Sequence, residues 1–396
     1  MMVHFRKRIN IEMLRQINEK VVTELEKNDP EDEETPGSSG RSQNFSKTSN
    51  FENKEKSNSG KLLLDATCAP SDIAYPTDLN LLNEAREKSE EIIDVLYEEV
   101  RSTKEKPRTY RKKARRDYLN VAKTKKPSSN KMRKVIRKQL GYLGRNLKHI
   151  DQLKIVSSLT SLSCKQYRDL LVITEIFRQQ QLMYESRDIR CDNRIVSIAQ
   201  PHIRAVYRGK AAAKYEFGAK LFVSLHKGFC FLDKLSWENF NESGDLQSQV
   251  AEYKRRAGVY PESLHVDQIY RTRENRRYCK SKGIRISGPP LGRPSKDDSL
   301  KKAQVRKDEI DRIPIEGKFG QAKRRYSLGL IMTKLKETSQ CAIALVFLVM
   351  NLQKRATSFY FMFLSRVIRF IMGRKFQYGS SCNSSNCCFV VLGINS

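Results

Sequence analysis

Histidine is scarce in this chain, with five in 396 residues and none beside another. That argues against a zinc centre built from clustered histidines. The cysteines, at 68, 164, 191, 230, 279, 341, 382, 387 and 388, show no paired metal-ligand spacing. Cys382, Cys387 and Cys388 have no histidine near them, so a zinc knuckle is not indicated. The thiols read as reduced and structural, as in an intracellular protein. Long apolar runs are also missing. Cys341 to Leu352 is too short to span a bilayer, and Ser358 to Met372 is broken by Arg366 and Arg369. Both read as buried helices, and no membrane role is expected. MMVHFRKRIN has no apolar core of a secretory signal. No internal repeat is visible.

Acidic residues are the other deficit. The chain carries 75 Lys and Arg against 45 Asp and Glu, a formal net charge of +30. Such an excess points to a polyanionic partner, nucleic acid first, because each cation on a phosphate releases a condensed counterion. The deficit is sharpest over 101–148, where 19 Lys and Arg face two acids, Glu105 and Asp117. Tyr110, Tyr118 and Tyr142 are interleaved there. We read this stretch as a largely helical surface for DNA backbone, with Arg111, Lys112, Lys113, Arg115, Arg116, Arg133, Lys134, Arg137 and Lys138 as phosphate contacts. Such contacts position a duplex without reading its sequence. A merely solvated basic helix face has the same composition.

Hydrophobic content of 39% is enough for a substantial core. Residues 4–27 have apolar positions at helical spacing, through Ile11, Leu14, Ile17, Val21 and Leu25. Residues 28–60 are rich in Ser, Asn, Glu, Lys and Gly and read as a disordered linker. KLLLDATCA (61–69) reads as a buried strand that surfaces at Asp65. A helix follows over 79–101, with Asp78 as the expected N-cap, and another over 165–187. The period then changes to two. Residues 211–226 and 228–237 read as a hairpin turning at Lys227-Gly228. Residues 240–257 read as helix, SLHVDQIY (263–270) as strand and 272–283 as a short helix stopped by Gly283. A strand at 284–290 and mostly helix from 298 to 375 complete the pattern. Strands alternating with helices argue for an α/β layer fold with a helical block inserted after the first strand.

Asp65 and Asp267 stand at the ends of apolar runs, and Glu316 lies in DRIPIEGKFGQAKRRY (311–326), where Pro314 suits the first turn of a helix. If that segment is helical, Arg312, Glu316 and Lys323 share one narrow face. Three converging carboxylates suit hard divalent cations, which take oxygen ligands. Two such ions can clamp the attacking and leaving oxygens of a phosphodiester. An aspartate at a strand end is also a common turn former or cap, and Asp72, Asp78, Asp298 and Glu309 are rival acids.

Three ordered blocks carry a resemblance: LLLDATCAPSDIAYPTDLNLLNEARE (62–87); RIVSIAQPHIRAVYRGKAAAKYEFGAKL (194–221) with SWENFNES (236–243); and VDQIYRTRENRRYCKSKGIRISGPPLGRP (266–294) with DRIPIEGKFGQAKRRYSLGLI (311–331). Together they resemble the DDE transposases of insertion elements, in the insertion-sequence-five-like group. The resemblance implies a ribonuclease-H-like mixed sheet whose acids sit on the first strand, the fourth strand and a later helix. These map to Asp65, Asp267 and Glu316 as catalytic metal ligands. The family's R-x3-E-x6-K pattern maps to Arg312, Glu316 and Lys323, with the two cations on the scissile DNA. Two magnesium ions, replaceable by manganese, double-stranded DNA as partner, a homodimer and a cytoplasmic, nucleoid-associated location are implied likewise. The implied chemistry is strand cleavage at element ends followed by strand transfer.

On this reading, 1–27 is the remnant of a DNA-binding region and 61–356 the catalytic domain. Residues 79–190 form its basic insertion, and 357–396 form a tail. The sequence departs from the family at Ala205, where a proline is usual, at His265, where a small residue is usual, and at Glu309, where a tyrosine is common. GRPSK (292–296) fits a minor-groove hook or a plain loop. A truncated, inactive DNA-binding remnant and a nuclease that cuts without joining are the alternatives.

Overall fold

Strand β1 (Lys61–Pro70) is the spine of the molecule. Its alternation sorts side chains to two faces. Leu62 and Leu64 join one buried cluster, and Leu63 and Ala69 join another. In the computed structural model, which describes residues 9–26, 57–188, 190–207, 215–238, 241–289, 292 and 299–377, both faces are covered by helices. Most of the expected linker, residues 293–296 of the GRPSK tract and the tail beyond 377 lie outside the described residues.

The other strands are β2 (Arg204–Tyr207), β3 (Tyr215–His226), β4 (Phe229–Ser236), β5 (Ser263–His265) and β6 (Arg285–Ile286). β3 pairs antiparallel with β1, and β2 and β4 both pair antiparallel with β3. β5 runs parallel to β1, and β6 runs parallel to β5. The β3–β4 hairpin turns at Lys227 and Gly228, with φ of 47° and 77°. Positive φ at both central residues matches the twist of the flanking strands. Gly218 of β3 is required for another reason: a Cβ there would lie 2.1 Å from the Ala69 carbonyl oxygen.

Asp65 lies in the middle of β1, not at its end. The reason is the ladder with β3, which pairs from Leu63 through Pro70 and carries the chain past the aspartate. β5 behaves differently. Its pairing with β1 stops at Leu63 and His265, so the run expected to extend to 270 is cut short. Beyond that couple the two chains part, and Asp65 and Asp267 each stand two residues past it.

On the face of Leu62 and Leu64 pack α6 (Leu246–Ala257) and α7 (Arg273–Ser281), through Leu246, Val250, Tyr253 and Cys279. On the opposite face pack α1 (Ile11–Glu26), α8 (Ser299–Arg325) and α9 (Lys336–Gln377). Ile315, Phe319, Ala322, Ile343 and Phe347 seal that side. Asn18 and Asn351 are both buried and both donate to the Cys230 carbonyl, at 3.2 and 2.7 Å, tying α1 to α9 and β4.

α8 corrects one expectation. It begins at Ser299, so Pro314 is internal. Proline costs a helix its bond to the carbonyl four residues back. Here that residue is Ile310, which is exposed, so water can serve the carbonyl. α9 corrects another: within Cys341 to Leu352 most apolar side chains are buried as expected, but Val349 and Leu352 are exposed, as are Phe359, Tyr360, Phe361 and Phe363 further along, where the helix continues past the sheet.

Between β1 and β2 stands a block of four helices: α2 (Asp78–Val100), α3 (Arg111–Ala122), α4 (Ser129–Leu153) and α5 (Cys164–Ser186). It has its own core of Leu82, Ile92, Ile93, Leu96, Leu143, Ile150, Ile173 and Ile176. Thr77, not Asp78, caps α2, accepting from the Asn80 amide. Asp78 instead pairs with Arg194 and accepts from Gln180. Arg86 is fully buried, and its two terminal nitrogens donate to Glu90 at 2.6 Å and Asn83 at 2.9 Å.

Candidate active site

The parting of β1 and β5 opens a cleft of about 720 Å³. Asp65, Asp267, Arg312, Glu316 and Lys323 all line it, although they come from parts of the chain up to 258 residues apart. Asp65 has the parity of Leu63, so it faces α8 rather than α6. Its Oδ1 accepts from the Ala66 amide at 2.8 Å. Asp267 initiates a 3-10 turn over Gln268–Tyr270 and accepts from the Gln268 amide at 2.7 Å. It therefore caps a turn and lines the cleft at once. Glu316 reaches the same space from α8.

Arg312 stands between two of the acids, 2.7 Å from Glu316 and 3.6 Å from Asp267. The first contact is the i,i+4 pair that helical spacing allows. Lys323 lies further along α8, two turns from Glu316.

The electrostatics are those of a crowded acid site. Burial lifts the Asp65 carboxyl from 3.8 to about 6; the Ala66 amide and Arg312 oppose this, while Asp267 and Glu242 add to it. Glu242, which no sequence pattern singled out, also lines the cleft and pairs with Lys220 of β3 at 2.9 Å. It sits in a 3-10 turn over Glu242–Asp245, with no periodicity to mark it. Tyr270 is fully buried, and its hydroxyl has no hydrogen-bond partner among the described residues. Burial, then Glu242 and Asp65, raise that phenol well above its ordinary value.

A hard divalent cation fits this donor set. The acids supply oxygen alone, as magnesium requires. Asp65 is held in a state that penalises its charge, and a cation would relieve that penalty. Arg312 already bridges two of the acids as a positive group would.

The basic residues singled out over 101–148 lie on the helical block, away from the cleft lining. Lys112, Lys113, Arg115, Arg116, Lys134, Arg137 and Lys138 are exposed. Two others are committed internally. Arg111 forks onto Asp94 at 2.8 Å through both terminal nitrogens and reaches the Glu90 carbonyl. Arg133 stacks on Tyr184, 4.1 Å from the ring centre, and donates to its carbonyl. These two brace the block. Lys138 lies 3.3 Å from Asp117.

Among the described residues, no helix is long and apolar enough to cross a membrane. Comparison with curated proteins gives no match, and comparison with solved structures gives none. Residues 264–353 match the family model described as Transposase DDE domain, a stretch that holds Asp267, Arg312, Glu316 and Lys323 and supports reading the chain as a DDE transposase.

Proposed function

We propose that this chain is a transposase of the insertion-sequence-five-like group that cleaves DNA at element ends and joins the freed ends to target DNA. The observation that carries this reading is the convergence of Asp65, Asp267 and Glu316 on one cleft, with Arg312 between two of them. The sheet supports a ribonuclease-H-like reading: the first acid is on the first strand, the second just past a strand parallel to it, and the third on a later helix. The short β2 makes that parallel strand the fifth rather than the fourth.

In the first step water attacks a phosphodiester at the element end, and the 3′-oxygen leaves as a free hydroxyl. In the second, that hydroxyl attacks a target phosphodiester and displaces the target's own 3′-oxygen. Each step exchanges one P–O bond for another, so no redox partner is needed. Asp65, Asp267 and Glu316 would hold two magnesium ions, with manganese as substitute. Bound there, such ions supply charge neutralisation at the attacking and leaving oxygens.

The protein's own part is positioning. Arg312 can fork onto a phosphate, and Lys323 can meet one as a point charge. Lys112, Lys113, Arg115, Arg116, Lys134, Arg137 and Lys138 present a cationic surface to the duplex backbone. A homodimer that pairs two element ends, acting in the cytoplasm on nucleoid DNA, completes the proposal.

The test is nicking and joining of labelled DNA bearing the element's own ends, with magnesium or manganese, by the wild type and Asp267→Ala. Metal-dependent products that vanish in the variant are expected. Tight, salt-sensitive DNA binding with no cleavage by either protein would instead identify an inactive DNA-binding remnant.

A further inference from the structure

A second group of ligand-bearing side chains lies behind the cleft, between β5 and α8. The ligand atoms of His265, Asp308 and Asp311 all fall within 4.8 Å of one another. His265 is fully buried. Its Nε2 lies 3.1 Å from the Ser263 hydroxyl, while Nδ1 has no hydrogen-bond partner among the described residues. Nδ1 faces Asp308 Oδ1 at 3.9 Å. That is too long for a hydrogen bond. It is close to the separation of two ligands on one tetrahedral zinc, about 3.4 Å for ordinary zinc–ligand lengths. When Nε2 donates to Ser263, Nδ1 turns a lone pair toward the two acids, the arrangement a metal-bound imidazole needs. Asp308 and Asp311 stand three residues apart on α8 and so project from one side of it.

Two cations now serve these acids. Arg285 Nη1 bridges both oxygens of Asp308 at 2.9 Å each, beside the Gln304 side-chain amide at 3.0 Å and the Gly288 backbone amide at 3.2 Å, and Lys61 lies 3.0 Å from Asp311. The side chains of Arg285 and Lys61 are 44% and 53% exposed, against 4% and 22% for their acids. They approach from water, whereas the imidazole approaches from the interior. Either can swing out and remain solvated.

We infer that His265, Asp308 and Asp311 form a second cation site, for a first-row transition ion such as zinc. One imidazole nitrogen with two carboxylates selects such an ion over magnesium, which prefers oxygen and keeps its waters. The site differs in chemistry from the oxygen-only cleft. It also adjoins it: His265 is two residues before Asp267, and Asp311 precedes Arg312. An ion here clamps β5 to α8 and so fixes how Asp267 stands relative to Glu316. Sequence spacing conceals the site, because its histidine is 43 residues from the nearer acid.

The test uses the full chain carrying Asp65→Asn, Asp267→Asn and Glu316→Gln, so that the cleft itself holds no ion. Zinc is titrated in competition with a chromophoric chelator, and cobalt(II) reports the ligand type by visible absorption. One zinc per chain is expected, undisturbed by millimolar magnesium and bound about 100-fold more weakly after His265→Ala. Asp311→Asn, at a half-buried position, weakens it about tenfold and carries the test if His265→Ala does not fold. Lys61→Met, which removes a competing cation, strengthens it severalfold. Absence of saturable zinc binding overturns the inference, as does affinity unchanged by Asp311→Asn. A thiolate charge-transfer band in the cobalt spectrum, which would place the ion on cysteine, also overturns it. Because the cleft is silenced, the outcome is independent of whether the wild type cuts DNA.

Discussion

Asp65→Asn should make the metal-free protein more stable, although it removes a proposed metal ligand. The Asp65 carboxyl is lifted from 3.8 to about 6, first by burial. Its folded-state value is therefore above its unfolded one, so the ionised carboxylate opposes folding. The penalty is fully present above about pH 6, fades as pH falls and is gone below 3.8. A lift of this size corresponds to about 3 kcal/mol at full value. Solvent reaches the side chain through the cleft, and screening reduces the expected gain to about 1–2 kcal/mol. Asparagine keeps an oxygen for the Ala66 amide, so the hydrogen bond at 2.8 Å survives the change. Unfolding of both proteins would be followed with chelator present, at pH 8 and at pH 4. The variant should unfold later at pH 8, by about 1–4 °C, and the two should converge at pH 4. Added magnesium should reverse the order at pH 8 by stabilising the wild type alone. Destabilisation by asparagine at pH 8, or a difference that ignores pH, would refute the account of the acid site.

Three further outcomes follow from the geometry. The Asp233 side chain is buried and receives Arg256, Ser224 and Gln249 at 3.0 to 3.2 Å; Asp233→Ala strands Arg256 and should cost about 3–5 kcal/mol by urea titration. Neutralising Lys112, Lys113, Arg115 and Arg116 together should flatten the salt dependence of DNA binding, by about 0.9 in the log–log slope for each phosphate left without its cation. Arg111→Gln, measured beside it, should instead lower the melting temperature, because its partner is Asp94.

How much of the fold and the site was legible in the sequence depended on whether the signal was local. The hairpin was readable because Lys227-Gly228 interrupts two alternating runs. The α2 and α5 helices were readable from their apolar stripes. The limits of β5 were not, since Val266 to Tyr270 is as apolar as the strand before it; pairing with β1, a long-range fact, decides where it stops. Pro314 misled for a related reason: a proline marks a helix start only when nothing upstream holds a helix together, and Asp308, bound to Arg285 and the Gly288 amide, does so here. Asp65, Asp267, Arg312, Glu316 and Lys323 could be brought into one group by resemblance, but their shared cleft appears only in three dimensions. Glu242 falls within the SWENFNES block and His265 stands out only as a departure from the family; neither could be joined to its partners by sequence, because those partners are remote in the chain. The exposed aromatic stretch of α9 shows the converse error, since apolar composition alone does not say that a sheet lies beneath it.

The helical block leaves and rejoins the sheet through a narrow neck. Gln200 donates to the Asp72 carbonyl at 3.0 Å, and Asp78, the first residue of α2, pairs with Arg194 of the returning chain. The entering and returning chains are thus stitched to each other where the block begins. With a core of its own beyond that stitch, the block behaves as a cassette. Its length, tilt and charge can change over evolutionary time, or be exchanged by an engineer for a short loop, while the strands that carry the acids keep their register.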